Sequence, residues 1–226
     1  MLRIFTLIPS IFLLGIVPAL AKAPAPAPVP PEPATTQRIF DITRDGTKIG
    51  TDIIDIVKDG DTTTVNFKTH ISVVVMFMEA YRMEHTAVET WSDGAFVSYK
   101  AQTDDNGTKR TILAMAADKM ATDKKFDLTV DGKDSQLPQI VLPATLWNTD
   151  FVGATQLFDA DKGTVLSVKV KDLGDQAIRQ HGTVVHAHHY KITGDLVRDI
   201  WAVGDVPVRI KLLGSDGSKI VSDLRQ

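Results

Sequence analysis

The stretch V-N-F-K-T-H-I-S-V-V-V-M-F, residues 65–77, decides the fold class because its side chains alternate between apolar and polar. Successive side chains of a β-strand point to opposite faces of the sheet, so such alternation is typical of a strand with one buried and one wetted face. We therefore expect one long strand over residues 65–77. Its buried face would carry Val65, Phe67, Ile71, Val73, Val75 and Phe77, and its wetted face would begin with Asn66, Lys68, His70 and Ser72.

Turn dipeptides separate this strand from similar runs on both sides. Asp or Asn followed by Gly readily adopts the positive φ angles of a tight β-hairpin. Alternation recurs at residues 166–171 and 208–212. We therefore expect an all-β protein, built as a curved antiparallel sheet or partial barrel of about ten strands. The turn pairs are Asp45-Gly46, Asp59-Gly60, Asp93-Gly94, Asn106-Gly107, Asp131-Gly132 and Asp216-Gly217.

One segment, residues 143–152, departs from the period of two. It begins with a proline, which the first turn of a helix accepts, and it is followed by Gly153. Helical spacing would place Leu146, Trp147 and Phe151 on one broad apolar face. The pattern predicts one short helix packed on the concave side of the sheet, where these three side chains would bind a lipid or other apolar ligand.

The composition is that of a folded protein of near-neutral charge. The chain has 226 residues, of which 43% are hydrophobic and 23% charged, and its formal net charge is −3. This balance suits one well-packed domain, and it excludes nucleic-acid binding driven by bulk positive charge. The absence of cysteine from the sequence excludes disulfides, thiolate metal sites and cysteine nucleophiles.

The first residues have the pattern of an export signal. A short positive start is followed by a mostly apolar run over residues 4–17 and by Ala19-Leu20-Ala21, which fits a signal-peptidase site. We expect a signal peptide over residues 1–21, cleaved after Ala21, and a mature protein that is periplasmic or secreted. The apolar run is shorter than the ~20 residues that span a bilayer, so no transmembrane segment is expected after cleavage.

A linker and a single domain would follow the signal peptide. Residues 22–36 are rich in Pro and Ala, which favours an extended, solvated spacer over a packed element. Residues 37–226 would form a single antiparallel β domain.

The densest cluster of polar side chains is the run His186-Ala187-His188-His189-Tyr190. On a strand, His186 and His188 would share a face about 7 Å apart, which is close enough for both to bind one zinc or copper ion. The alternative is a solvent-facing strand on which Tyr190 packs. The sequence does not identify further ligands, so both interpretations stay open.

A second possible metal site lies among the methionines. Met76, Met78 and Met83 could bind Cu(I) through soft sulfur ligands. Alternatively, they fill irregular apolar gaps beside Phe77 and Tyr81, as methionine often does.

No catalytic signature is present in the sequence. It contains no G-x-S-x-G elbow, no H-E-x-x-H motif, no phosphate-binding glycine loop and no dinucleotide fingerprint. Glu84, Glu89 and Asp93 could act as an acid and base pair, but we interpret them as solvated charges on an exposed strand face. We predict no cofactor. Enzymatic activity is not the favoured interpretation, but it stays open because Ser, His and Asp are all available to form a triad in space.

Several landmarks together resemble a family of exported bacterial proteins known only as a domain of unknown function, DUF 6134, which is distantly similar to DUF 3108. The resemblance implies a periplasmic antiparallel β protein, and it implies no activity and no catalytic residues. The landmarks are F-D-I-T-R-D-G-T-K-I-G at 40–50, Y-R-M-E-H-T at 81–86, E-T-W-S-D-G at 89–94, H-Y-K-I-T-G at 189–194, D-I-W at 199–201, P-V-R-I at 207–210 and S-D-G-S at 215–218.

Three functions are compatible with these features. The first is a periplasmic binding module for a lipid or other apolar small molecule, contacted by Leu146, Trp147 and Phe151. The second is a ligand-free protein of the cell envelope that interacts with an envelope partner. The third is a metal-binding protein that uses His186 and His188.

Overall fold

A computed structural model describes residues 33–116, 125–137 and 140–225. These residues form fifteen strands and no helix. The strands are β1 (Ala34–Arg44), β2 (Thr47–Asp59), β3 (Thr62–Val75), β4 (Met78–Ser92), β5 (Ala95–Asp105), β6 (Thr108–Ala116), β7 (Phe126–Val130), β8 (Lys133–Leu137), β9 (Leu142–Pro143), β10 (Gln156–Phe158), β11 (Val165–Gln180), β12 (Thr183–Gly194), β13 (Arg198–Val203), β14 (Val206–Leu213) and β15 (Lys219–Leu224).

All fifteen strands belong to one sheet in the order β8-β7-β6-β5-β4-β3-β2-β1-β15-β14-β13-β12-β11-β10-β9. Every neighbouring pair is antiparallel except β9 and β10, which run parallel. Because β1 pairs with β15, the first and last described strands lie together in the middle of the sheet. The predicted all-β antiparallel fold is confirmed, whereas the prediction of about ten strands is wrong.

The turn pairs explain both results. All six predicted Asp-Gly and Asn-Gly pairs connect consecutive strands, and Asp45 and Gly46 show the positive φ angles of 48° and 85° that such turns need. Other hairpin turns, at Met76-Phe77 and His181-Gly182, lack an Asp or Asn before glycine. The short strands β9 and β10 raise the count further.

The deciding stretch, residues 65–77, is a strand over only part of its length. Its alternation is correct as far as Val73, but the pairing with β4 shifts between Val73 and Val74 and the chain then turns. Met76 and Phe77 form the turn with φ angles of 49° and 66°. The prediction of one strand to residue 77 with Phe77 on the buried face is therefore wrong, because the Val-Met-Phe run contains no residue that signals a turn.

The sheet bends round a shared apolar core. Phe126 of β7 and Phe158 of β10 lie near opposite ends of the strand order, yet their ring centroids are only 5.9 Å apart. A Cβ atom on Gly163, whose φ is +71°, would lie 2.4 Å from Cγ2 of Val130. Glycine is thus required where the segment after β10 crosses β7.

The predicted helix over residues 143–152 does not form. Pro143 belongs to β9, and the chain then makes tight turns in which Val152 N donates to Thr149 O over 2.9 Å and Ala154 N donates to Phe151 O over 3.0 Å. Leu146 has a φ of 55°, which a right-handed helix cannot contain. The helix prediction is therefore wrong, although the segment does fill the interior of the sheet.

The N-terminal predictions fall largely outside the described residues. The signal peptide over residues 1–21 and the linker as far as residue 32 are among them. The predicted boundary at residue 37 falls inside β1, because Ala34 already pairs with Lys58 of β2. No helix long and apolar enough to cross a membrane occurs in the described ranges.

Candidate functional site

The largest cavity we consider as a candidate site is a cleft of about 620 Å³ between β1–β4 and β14–β15. Its volume lies within the range of small-molecule sites in proteins. The β3–β4 ribbon lines the cleft, and so does Asp161 of the segment after β10. Its apolar walls are formed by Ile42, Ile49, Ile71, Val73, Met83, Leu212 and Ile220.

Polar groups also line the cleft. Asp161, Arg198 and Tyr81 are among them, as are Arg44 and Asp216, which form an ion pair with each other. Burial raises the pKa of Asp161 to about 6, and burial also lowers the pKa of the Arg198 guanidinium. The cavity thus combines apolar walls with charged groups, an arrangement that suits an amphipathic molecule.

A buried hydrogen-bond network lies beside Asp161. His85 Nδ1 lies 2.8 Å from Thr103 Oγ1 and 3.2 Å from Asp161 Oδ1. The Tyr99 hydroxyl donates to Ala160 O over 2.9 Å and lies 3.4 Å from His85 Nε2.

This network does not provide an accessible nucleophile. Burial lowers the pKa of His85 to about 4, so that its imidazole is neutral at physiological pH. Tyr99 is fully buried, and burial raises the pKa of its hydroxyl. No reacting group can reach this tyrosine, and we assign the network a positioning role.

A second buried polar cluster surrounds Glu89 of β4. Glu89 Oε1 accepts from Thr145 Oγ1 over 2.5 Å. Oε2 accepts from Trp91 Nε1 over 2.9 Å and from Trp147 Nε1 over 2.8 Å. The carboxyl has no exposed surface, and burial raises its pKa to about 7. Glu89 therefore fastens the 145–147 turn to the sheet.

The interpretation of Glu89 as a solvated charge is wrong. Its side chain points the same way as those of His85, Ala87 and Trp91, all of which are buried. The alternation along H-T-A-V-E-T-W contained this signal, because a residue two positions from a buried Trp and two from a buried Ala shares their face.

The three predicted ligand contacts lie away from the large cleft. Leu146 and Phe151 are 8% and 3% exposed and pack in the core, while Trp147 is partly buried against Glu89. The space that these side chains line together with Glu89 is only about 10 Å³. A role for the three as ligand contacts stays a prediction.

The two predicted metal ligands lie on the same face of β12. His186 is exposed. His188 Nε2 is 2.6 Å from Asp172 Oδ1, and His188 Nδ1 is 2.8 Å from Asp175 Oδ1. Within the described residues, no group of three or more His, Asp or Glu side chains is arranged to hold a metal. A metal site on His186 and His188 stays a prediction.

A family model matches residues 40–225, and its description is a domain of unknown function, DUF6134. The chain belongs to this family. The match confirms the resemblance drawn from the sequence landmarks of the DUF6134 domain, whereas the distant similarity to DUF 3108 stays a prediction. No curated protein matches the chain.

A solved structure has a similar fold to this DUF6134 domain. It is the crystal structure of a beta-barrel-like protein of a domain of unknown function, DUF1849, from Brucella abortus. The TM-score is 0.59 and the sequence identity 13%, and the match covers 84% of this chain and 95% of that chain. At this identity the likeness shows the fold alone.

Proposed function

We propose that this protein is exported and binds a lipid or another apolar small molecule in the cleft between β1–β4 and β14–β15. The observation that carries the proposal is the cleft of about 620 Å³ with seven apolar side chains in its walls. Walls of this kind gain free energy when a ligand displaces water from them, by about 25 cal/mol for each Å² that is buried. The polar groups of Asp161 and Arg198 would orient an amphipathic ligand.

The export pattern of residues 1–21 supports a location outside the cytoplasm. A protein outside the cytoplasm that carries an insoluble molecule through water needs an apolar surface on which to hold it.

The test is binding of N-phenyl-1-naphthylamine, an uncharged probe whose fluorescence rises on transfer from water to an apolar site. We expect saturable binding by the purified protein. The substitution Met83→Arg places a charge in the cleft wall and should weaken binding about tenfold or more. Val88→Arg is the matched control, because Val88 lies on the same strand, points to the opposite face and is 38% exposed.

Absence of saturable binding by the folded protein would refute the proposal, as would equal binding by the Met83→Arg and Val88→Arg variants. Native mass spectrometry of protein purified from its own envelope gives an independent measurement, for which we expect a co-purified apolar molecule.

The second candidate is a ligand-free envelope protein that binds a protein partner. It is favoured by the exposed apolar side chains at the β3–β4 turn. The probe experiment separates the two candidates, because a protein-binding surface at that turn does not require the cleft.

A further inference from the structure

The turn between β3 and β4 exposes a continuous run of large apolar side chains. We call Val74–Met78 the apolar finger. The exposed fractions of its side chains are 62% for Val74, 50% for Val75, 86% for Met76, 102% for Phe77 and 70% for Met78. No polar side chain occurs between Val73 and Met78. Soluble surfaces rarely expose contiguous apolar patches without a function. The interpretation that the methionines fill apolar gaps is therefore wrong for Met76 and Met78, which are exposed. Met83, by contrast, lines the cleft.

The finger lies beyond the last residues through which β3 and β4 pair with their neighbouring strands. Pairing of β3 with β2 stops at Ile71, and pairing of β4 with β5 stops at Met83. Beyond those residues, β3 and β4 pair only with each other among the described strands. The four residues beyond Ile71, Ser72–Val75, extend the ribbon by roughly 13 Å at about 3.3 Å per residue.

The turn chemistry shows that the apolar residues are not there to form the turn. Met76 and Phe77 both have positive φ angles, 49° and 66°. Such angles are uncommon for residues other than Gly, Asn and Asp. Other hairpins of this sheet use Asp-Gly or Asn-Gly at the same place. Met76 and Phe77 thus adopt an unfavourable backbone conformation although their exposed side chains contribute nothing to the core. This combination points to a function of those side chains.

We infer that the apolar finger inserts into the surface of a lipid bilayer and places the cleft beside it. Every side chain of the finger is apolar, so the finger offers the hydrocarbon of a bilayer no charged or hydrogen-bonding group that would have to be desolvated. Its backbone is paired within the hairpin, Val74 with Glu79 and Val75 with Met78, as a non-aqueous environment requires. The apolar part of the ribbon beyond Val73 extends by roughly 7 Å at about 3.3 Å per residue, which matches the ~5–10 Å to which interfacial segments are buried in lipid.

The base of the ribbon sets the depth and connects the finger to the cleft. Glu79 accepts a hydrogen bond from Ser72 Oγ over 2.8 Å, so a polar ring begins directly above the finger. Ile71 and Val73 on β3, and Tyr81 and Met83 on β4, belong to the same ribbon and line the cleft. An apolar ligand could thus pass between bilayer and cleft along one surface. This exchange step rests on the proposed function, whereas insertion does not.

The test is flotation of the purified protein with vesicles of phosphatidylcholine, a zwitterionic lipid without net charge. We expect the protein to float with the vesicles and to do so equally at low salt and at about 0.5 M salt, because no charge takes part. The double variant Met76→Asn/Phe77→Gly replaces the apolar turn by a favoured hairpin turn. Its bound fraction should fall about tenfold or more, since each large side chain contributes a comparable factor.

Val184→Ser is the matched control, because Val184 is 52% exposed near the start of β12, beside the β11–β12 turn at the opposite end of the sheet from the finger. It should float as the unchanged protein does. Binding of N-phenyl-1-naphthylamine without vesicles should be the same in the double variant and the unchanged protein. Transfer of that probe from preloaded vesicles should be slower for the double variant.

Three results would overturn the insertion. The first is failure of the unchanged protein to float. The second is flotation that needs anionic lipid and disappears in salt, which would indicate a charged surface instead. The third is self-association in sedimentation equilibrium that only the double variant loses, which would assign the finger to a second copy of the chain. Failure of probe binding with normal flotation would refute the cleft proposal and leave insertion intact.

Discussion

Replacing Glu89 by Gln should make the protein more stable at neutral and alkaline pH. The carboxyl is fully buried, and its neighbours are three hydrogen-bond donors, one from Thr145 and two from indole rings. A glutamine oxygen can accept from the indoles of Trp91 and Trp147 while its NH2 donates to the Thr145 hydroxyl, which reverses its role. Glu89→Gln therefore keeps three hydrogen bonds and removes one buried charge.

The size of the effect follows from the pKa of Glu89. Burial raises it from 4.5 to about 7 in the folded protein. The folded state then binds the proton more tightly than the unfolded state, so stability is greatest below about pH 4.5 and falls as the pH rises towards 7. Such a shift corresponds to on the order of 3 kcal/mol. This value already includes the three hydrogen bonds to the carboxylate. Because glutamine replaces them by neutral and weaker hydrogen bonds, we expect a gain of about 1–3 kcal/mol for the variant.

The assay is thermal and urea unfolding of both proteins at about pH 4 and about pH 8. The two should unfold alike at the lower pH, where Glu89 is protonated. At the higher pH the variant should unfold roughly 5 °C above the unchanged protein, given about 2–4 °C for each kcal/mol in a chain of this size.

The control is Glu84→Gln on the outward face of the same strand, whose carboxyl pairs with His70 and should gain nothing. A Glu89→Gln variant less stable than the unchanged protein at about pH 8 would refute the reasoning, because the hydrogen bonds to the anion would then outweigh its desolvation.

Three further predictions concern stability. Gly163→Ala should lower the unfolding temperature, because the new Cβ meets Val130 and the φ of +71° disfavours it; Val130→Ala in the same chain should restore part of the loss. Met76→Asn/Phe77→Gly should raise stability by about 0.5–1 kcal/mol through its better turn residues, and a loss in urea unfolding would contradict this. The pKa of His188 is raised by hydrogen bonds to two carboxylates, so His188→Gln should lower the unfolding temperature near pH 5 and change nothing near pH 9; equal effects at both pH values would count against the ion pairs.

The sequence predicts those parts of the fold that depend on neighbouring residues. Alternation over residues 65–73 and the six Asp-Gly or Asn-Gly turns each report a local preference, and the structure follows them. The turn at Met76-Phe77 has no such preference, so the strand was predicted to continue. The apolar finger is the segment in which the predicted strand and the observed turn differ.

The helix prediction failed for a different reason. The apolar spacing of residues 146–151 is compatible with a helix or with an irregular buried segment. The choice depends on Glu89, which lies 56 residues earlier in the chain and fixes the turn through Thr145 and Trp147. The cleft could not be predicted from the sequence either, because its walls come from strands that are brought together only by the pairing of β1 with β15.

Strand β4 separates the proposed roles along its length. From its start it carries Met78 of the apolar finger, then Met83 of the cleft wall, then His85 beside the Asp161 network, and finally Glu89, which fastens the interior segment. Glu89 lies six residues beyond Met83, which is about 20 Å along an extended strand. Sites so far apart that share no partner act additively. Glu89→Gln should therefore change stability while vesicle flotation and probe binding stay as in the unchanged protein. Loss of either activity in that variant would mean that the interior segment moves during ligand binding.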